Sequence, residues 1–144
     1  MQIRRSLDHR DALIAIETIE AELRRRNKAA VLAIGDDHGE LVALLRVNMA
    51  PLQSITIATN KAFTAAREGQ PSRDLGIKSR DPKSGFDIAY YGDRRFVGWG
   101  GGVPVIVDGL TVGSVAVSGL SEDEDEELAK LGAARILEAA KPER

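Results

Sequence analysis

The feature that most constrains this chain is an Asp-Gly pair set between two apolar runs. Val103-Pro104-Val105-Ile106-Val107 precedes Asp108-Gly109, and Leu110 to Ser118 follows. A two-residue type I′ turn needs positive φ at both central positions, and Asp-Gly meets that need at little steric cost. The spacing predicts two antiparallel strands joined by a tight turn. Pro104 has no N–H to donate, which suits an edge strand or a strand start. A second hairpin is predicted upstream: Ala29 to Ile34, a turn at Gly35-Asp36-Asp37-His38-Gly39, and a return over Glu40 to Val47. The first of these strands is almost wholly apolar, as a strand covered on both faces would be. A fifth strand is expected at Arg95 to Trp99, ended by Gly100-Gly101-Gly102.

Helical spacing fills the gaps. Ala12, Ile16, Ile19 and Leu23 recur on one face of a helix from about Leu7 to Arg26, with Ser6 as its expected cap. A second helix runs from about Gln53 to Glu68. Its stripe of Ile55, Ala58, Ala62 and Ala65 lets it lie close to a sheet, and Gly69-Gln70-Pro71 stops it. Ser72 to Lys78 reads as one short helix. Ser79 to Arg94 is irregular, with Phe86, Ile88, Tyr90 and Tyr91 as apolar anchors, and a loop of that length is often a lid or binding rim. Ser121 with Glu124 matches a capping box for a last helix to about Ala140, burying Leu128, Leu131, Ile136 and Leu137. The order is α-β-β-α-(α)-β-β-β-α. It predicts an α/β chain of the α+β kind, with a five-stranded antiparallel sheet and helices packed on it, as one domain over residues 1–144.

Composition excludes several chemistries. There is no cysteine, so there is no disulfide, thiolate metal site or Cys nucleophile. The net charge is −2, from 20 basic and 22 acidic groups, which does not point to nucleic acid. The runs Arg24 to Arg26 and Glu122 to Glu127 read as solvated helix ends. Arg4 and Arg5 lead into charged residues rather than the apolar stretch of a secretory signal, and no run is long enough to span a membrane. A cytoplasmic protein is the expectation.

Three ordered segments resemble the GlcG/HbpS family. The first is Asp36-Asp37-His38-Gly39-Glu40-Leu41-Val42-Ala43, followed by Arg46. The second is Ser54-Ile55-Thr56-Ile57-Ala58 with Lys61-Ala62 and Thr64-Ala65. The third is Gly100-Gly101-Gly102-Val103-Pro104, then Asp108-Gly109, Val112-Gly113 and Val117-Ser118-Gly119. Together they cover about residues 10 to 135. Asn48 and Met49 stand where the family usually continues with aspartate and glycine, and His38 where glycine is common. The resemblance implies an α/β sandwich that often assembles into homo-oligomers. It includes the C-terminal domain type of PduO corrinoid adenosyltransferases, and some members bind heme.

The residues themselves leave the chemistry open. His9 and His38, the only imidazoles, are either axial ligands to a heme or exposed polar residues. They are too few for a histidine metal cage, and no metal site is expected. Asp36, Asp37 and Glu40 either bind a hard cation or serve the turn. Gly100, Gly101 and Gly102 either turn N–H groups towards an anion or allow a tight crossing of strands. Trp99 and Phe96 either wall a flat ligand or pack in the core. Arg46 and Lys61 either hold an acidic ligand or pair internally. The expected binding set is Arg46, Lys61, Trp99, Gly100 to Gly102 and Pro104. Three functions fit: a binder of a small flat or acidic molecule, heme or a related tetrapyrrole first; an accessory enzyme acting on a small organic acid; or a structural oligomer joined through the alanine-rich helix and a sheet edge.

Overall fold

The computed structural model describes residues 1–141. Helix α1 (His9–Arg26) is followed by strands β1 (Val31–Gly35) and β2 (Leu41–Arg46). Helices α2 (Ser54–Glu68) and α3 (Ser72–Ser79) come next, then a 3₁₀ turn at Ile88–Tyr91. Strands β3 (Gly102–Val107) and β4 (Leu110–Ser118) and helix α4 (Glu122–Ala139) complete the order. The sheet runs β2-β1-β4-β3, and every neighbour is antiparallel. The Asp108-Gly109 turn has φ of 52° and 76°, the positive pair a type I′ turn requires. β3 is an edge strand, which is why Pro104 is tolerated there.

The sheet separates two apolar layers. Leu32, Ile34, Val103, Val105, Val115 and Val117 pack with Ile19 and Leu23 of α1 and Leu128 and Ile136 of α4. On the other face, Val31, Ala33 and Ala116 meet Ala58 and Ala62 of α2. The alanine stripe is therefore consumed inside the chain, since Ala58 and Ala65 are fully buried. It is not the interface between copies that the sequence allowed.

Among the described residues there are four strands, not five. Arg95 to Trp99 has strand-like composition but no strand beside it. Its polar backbone is met instead by two side-chain hydroxyls: Thr64 Oγ1 donates to the Arg95 carbonyl at 3.2 Å and accepts from Val97 N–H at 3.0 Å, and Ser72 Oγ donates to the Trp99 carbonyl at 2.6 Å. Gly98 packs flat against Gly76 of α3, where a side chain on either would collide with backbone. The segment is thus clipped to α2 and α3 rather than to the sheet. Phe96 sits in an aromatic cluster, 5.0 Å from Phe63 and stacked 4.4 Å from Tyr91. Thr64→Val is expected to cost about 1–3 kcal/mol, because both backbone groups lose their partner. Chemical denaturation checks the size, and faster amide exchange confined to residues 95–99 checks the location.

Two smaller corrections follow local chemistry. α1 is capped by Asp8, not Ser6: Asp8 accepts from Arg10 and Asp11 N–H, and Asp11 accepts from Asp8 N–H in return. Ser6 instead accepts from Asp37 N–H in the first hairpin turn. Leu131 is exposed, because Gly132 faces the α1 side of α4 and seats Ile19. The capping role of Ser121 stands, with its hydroxyl accepting from Glu124 N–H at 3.2 Å.

Candidate functional site

The sheet has two ends, and the polar chemistry differs between them. In register, Ser118 of β4 lies beside Val31 of β1, which lies beside Arg46 of β2. At this Ser118 end, α2 and α4 both begin. At the other end lie Gly35, the hairpin turn and the N-terminus of α1, tied down by Leu7 N–H donating to Val112 O at 2.8 Å.

At the Ser118 end a buried ion pair joins the two helical layers. Lys61 Nζ of α2 lies 3.0 Å from Asp125 Oδ2 of α4, and both side chains are only 3% exposed. Lys61 also donates to the Val117 carbonyl at 3.0 Å, and Asp125 Oδ1 accepts from Leu120 N–H at 3.0 Å. Burial pushes the Asp125 carboxyl above its ordinary value, and the Lys61 charge and backbone N–H donors pull back against that rise.

Gly101 makes the crossing possible. Its φ is +129°, and an added Cβ would stand 2.5 Å from Val117 O and 2.6 Å from Lys61 Nζ. The glycine run thus serves close approach at the start of β3. Gly100 N–H donates to Glu122 Oε1 at 2.9 Å and Gly102 N–H to Ser72 Oγ at 3.0 Å. Those two N–H groups are engaged within the protein. Arg73 lies over Gly100 and pairs with Asp123 at 2.8 Å and Glu126 at 3.4 Å, fastening α3 to α4.

Beside the ion pair opens a cleft of about 300 Å³. Lys61, Asp125, Ser54 and Ser118 line it, with Pro51, Ile57, Leu120 and Trp99 as its apolar wall. Ser118 Oγ donates to Ser54 Oγ at 3.2 Å. Trp99 is 54% exposed, too much for a core residue, and it lines the cleft.

The sequence-predicted residues divide between the ends. Lys61 and Trp99 meet in the cleft, with Gly100 to Gly102 behind them. Pro104 lies farther along β3, opposite Ser114. Arg46 is exposed at the tip of edge strand β2, about 10 Å from Ser118 by two strand spacings, and does not line the cleft. His9 opens α1 and His38 sits in the β1–β2 turn, so both lie at the opposite end of the sheet. The length of β1 alone puts about 13 Å between the levels of Ser118 and Gly35. Asp36 serves the turn, accepting from His38 and Glu40 N–H. Asp37 pairs with Arg4 and Glu40 with Arg95, so these acids are spent on structural contacts. Among the described residues, no group of three or more His, Asp or Glu is placed to hold a metal ion.

Known proteins share this fold. The family described as "Haem degrading protein HbpS-like" matches residues 7–134. The chain belongs to the HbpS-like family. GlcG of Escherichia coli K12 is 31% identical over 99 residues, covering 69% of this chain and 71% of GlcG. A Streptomyces reticuli HbpS double mutant is 27% identical with a TM-score of 0.81, over 93% of this chain and 88% of that one. A PduOC:heme complex is 24% identical with a TM-score of 0.81, over 90% of this chain and 94% of that one, a likeness of fold.

In this HbpS-like chain, the site residue that sequence reasoning missed is Asp125. It lies in the acidic run read as a solvated helix end, yet it is only 2% exposed. A signal was there: Asp125 falls three, four and seven residues before Leu128, Ala129 and Gly132, all buried on one stripe of α4. An acid on an apolar stripe calls for a buried cation. Ser54 and Ser118 were visible as motif residues, but their meeting joins positions 64 apart in the chain.

Proposed function

We propose that this HbpS-like protein binds a small molecule at the Ser118 end of the sheet, with a tetrapyrrole such as heme as the first candidate. The observation that carries this reading is the half-exposed Trp99 beside a cleft whose floor is polar and buried. An exposed indole next to a polar floor suits a flat ligand with a polar edge. The PduOC:heme complex supports the choice of candidate.

The residues present fit such a ligand in one manner only. The cleft is too small to enclose a macrocycle, so the ring would lie across its mouth against Trp99, with an edge group reaching inward. Neither histidine of the same chain can serve as iron ligand to a ring seated there, because both lie at the far end of the sheet. The reading extends to a cytoplasmic homo-oligomer, in which the edges of β2 and β3, unpaired by any strand among the described residues, supply contacts between copies. No helix among the described residues is long and apolar enough to cross a membrane.

Trp99 is the single tryptophan, so its fluorescence reports the site directly. Hemin titration is expected to quench it and to shift the Soret band. Trp99→Ala should weaken hemin about tenfold or more, as loss of an aromatic anchor does. A His9→Ala, His38→Ala double variant should bind as the natural protein does. The opposite pattern, with binding lost in the histidine variant and kept in Trp99→Ala, would move the ligand to the other end of the sheet. The accessory-enzyme reading is weaker, because Arg46 and Lys61 do not converge on one cleft.

A further inference from the structure

We propose that the floor of the cleft is a carboxylate subsite, in which Lys61 and the Ser54–Ser118 hydroxyl pair grip the acid group of the ligand. The inference rests on the reading above that this cleft takes the ligand, and it names the group that is held.

The count of protons leads there. An ammonium carries three donors. Lys61 uses one on Val117 O and one on Asp125 Oδ2, and the third has no acceptor among the described residues. The side chain is 3% exposed, so bulk water does not satisfy that donor freely. A buried donor left unpaired is costly, and an acceptor arriving in the cleft removes the cost. Ser54 and Ser118 are likewise 3% and 4% exposed and share one hydrogen bond. Two hydroxyls carry two protons and one bond uses one of them. The other has no acceptor among the described residues, and both side chains line the cleft. Two spare donors at one floor match the two oxygens of a carboxylate.

The acids of the wall do not cancel this. Asp125 is engaged by Lys61 and Leu120 N–H. Glu122 accepts from Gly100 N–H, and Arg73 stands 3.9 Å from its other oxygen. α2 begins at the cleft with no acidic residue in its first turn and no side-chain cap; its first N–H groups donate to the Pro51 and Leu52 carbonyls, so no charge of its own opposes an anion there. Trp99, Ile57 and Leu120 give an apolar wall for the rest of the ligand. The acid group has two sources: a propionate of a tetrapyrrole lying on Trp99, or a small free acid with a flat apolar body that fits the cleft whole.

Benzoate and benzamide share a shape and differ in charge, so they test the subsite. Nitrogen-labelled protein is titrated with each while amide and indole resonances are followed. Benzoate is expected to move the signals of Ser54, Ile57, Ser118 and the Trp99 indole, and benzamide to bind about tenfold more weakly. A Ser54→Ala, Ser118→Ala double variant should lose about tenfold for benzoate and little for benzamide. Its far-ultraviolet dichroism and urea midpoint show that it is folded. Equal binding of the two probes, or shifts away from the cleft, would overturn the subsite.

A second arm compares hemin with its dimethyl ester by Trp99 quenching. An ester about tenfold weaker assigns the acid group to a propionate. Equal quenching by both, with benzoate still seated in the cleft, assigns it to a free acid. Hemin that fails to quench at all sinks the tetrapyrrole reading and leaves the benzoate result standing.

Discussion

Lys61→Met is expected to lower the stability of the chain by about 3–5 kcal/mol at neutral pH, because it leaves the Asp125 carboxylate buried without its cation. The desolvation of Asp125 remains after the substitution and the attraction that offsets it does not. Urea denaturation reads the loss directly as a lower midpoint. Two further measurements separate this cause from simple loss of packing. A Lys61→Met, Asp125→Leu double variant should recover most of the stability, since an apolar pair of similar volume carries no desolvation penalty. The loss in Lys61→Met should also shrink in acid, where Asp125 takes up a proton and no longer needs a partner. An unchanged midpoint in Lys61→Met, or a double variant as unstable as the single, would show that the pair does not hold the layers together.

The sign of the natural pH dependence follows from the same burial. The folded value for Asp125 is raised above the ordinary 3.8, chiefly by desolvation. Between 3.8 and the folded value, the native state holds a proton that the unfolded chain has released. The stability Asp125 contributes is therefore fully present below 3.8 and lost as pH rises through its folded value. Glu22 acts in the opposite direction. Hydrogen bonds from Arg25 and Arg26 lower it from 4.5 to about 2, so its contribution is present above 4.5 and lost as pH falls through about 2. Asp125→Asn should remove the first slope and leave the second, which urea midpoints measured across about pH 2–7 would show.

Gly101→Ala is the second large effect, expected to cost about 2–6 kcal/mol from two causes that add. At φ +129° an L side chain is strained whatever space surrounds it, a cost of about 1–3 kcal/mol. The new methyl would also press on Val117 O and Lys61 Nζ, and overpacking of that kind costs about 1–3 kcal/mol more. Because the methyl displaces the ammonium itself, ligand binding at the cleft should fall further than the loss of stability explains. Gly109→Ala is the matched control. Its φ of +76° is also positive, but nothing stands within 4 Å of the added Cβ. Only the backbone strain should appear there. Equal losses at the two glycines would mean that the crossing of Lys61 past Gly101 is not tight.

Most of the fold could be read from short-range chemistry. The Asp108-Gly109 turn, the apolar β1 strand, the alanine stripe of α2 and the Ser121 cap each depend on residues within a few positions of one another. So each appears in the sequence as a local pattern. The family resemblance added order over nearly the whole length. Arg95 to Trp99 failed this test for a physical reason. Its composition is that of a strand, but a strand is defined by its neighbour, and here the neighbours are the hydroxyls of Thr64 and Ser72.

By itself, then, the amino-acid order determined the helices, four of the five expected ribbons and their antiparallel pairing, while it grouped Lys61, Trp99 and the glycine run with Arg46 and Pro104, which lie elsewhere on the sheet. Only the tertiary structure decided that Lys61 meets Asp125 across the start of β3, that Ser54 meets Ser118, and that both histidines face away from all of them. The reason is range. Turn and helix preferences act between adjacent residues, whereas a buried charge finds its counter-ion wherever the packed layers bring one within reach, here 64 positions along the chain.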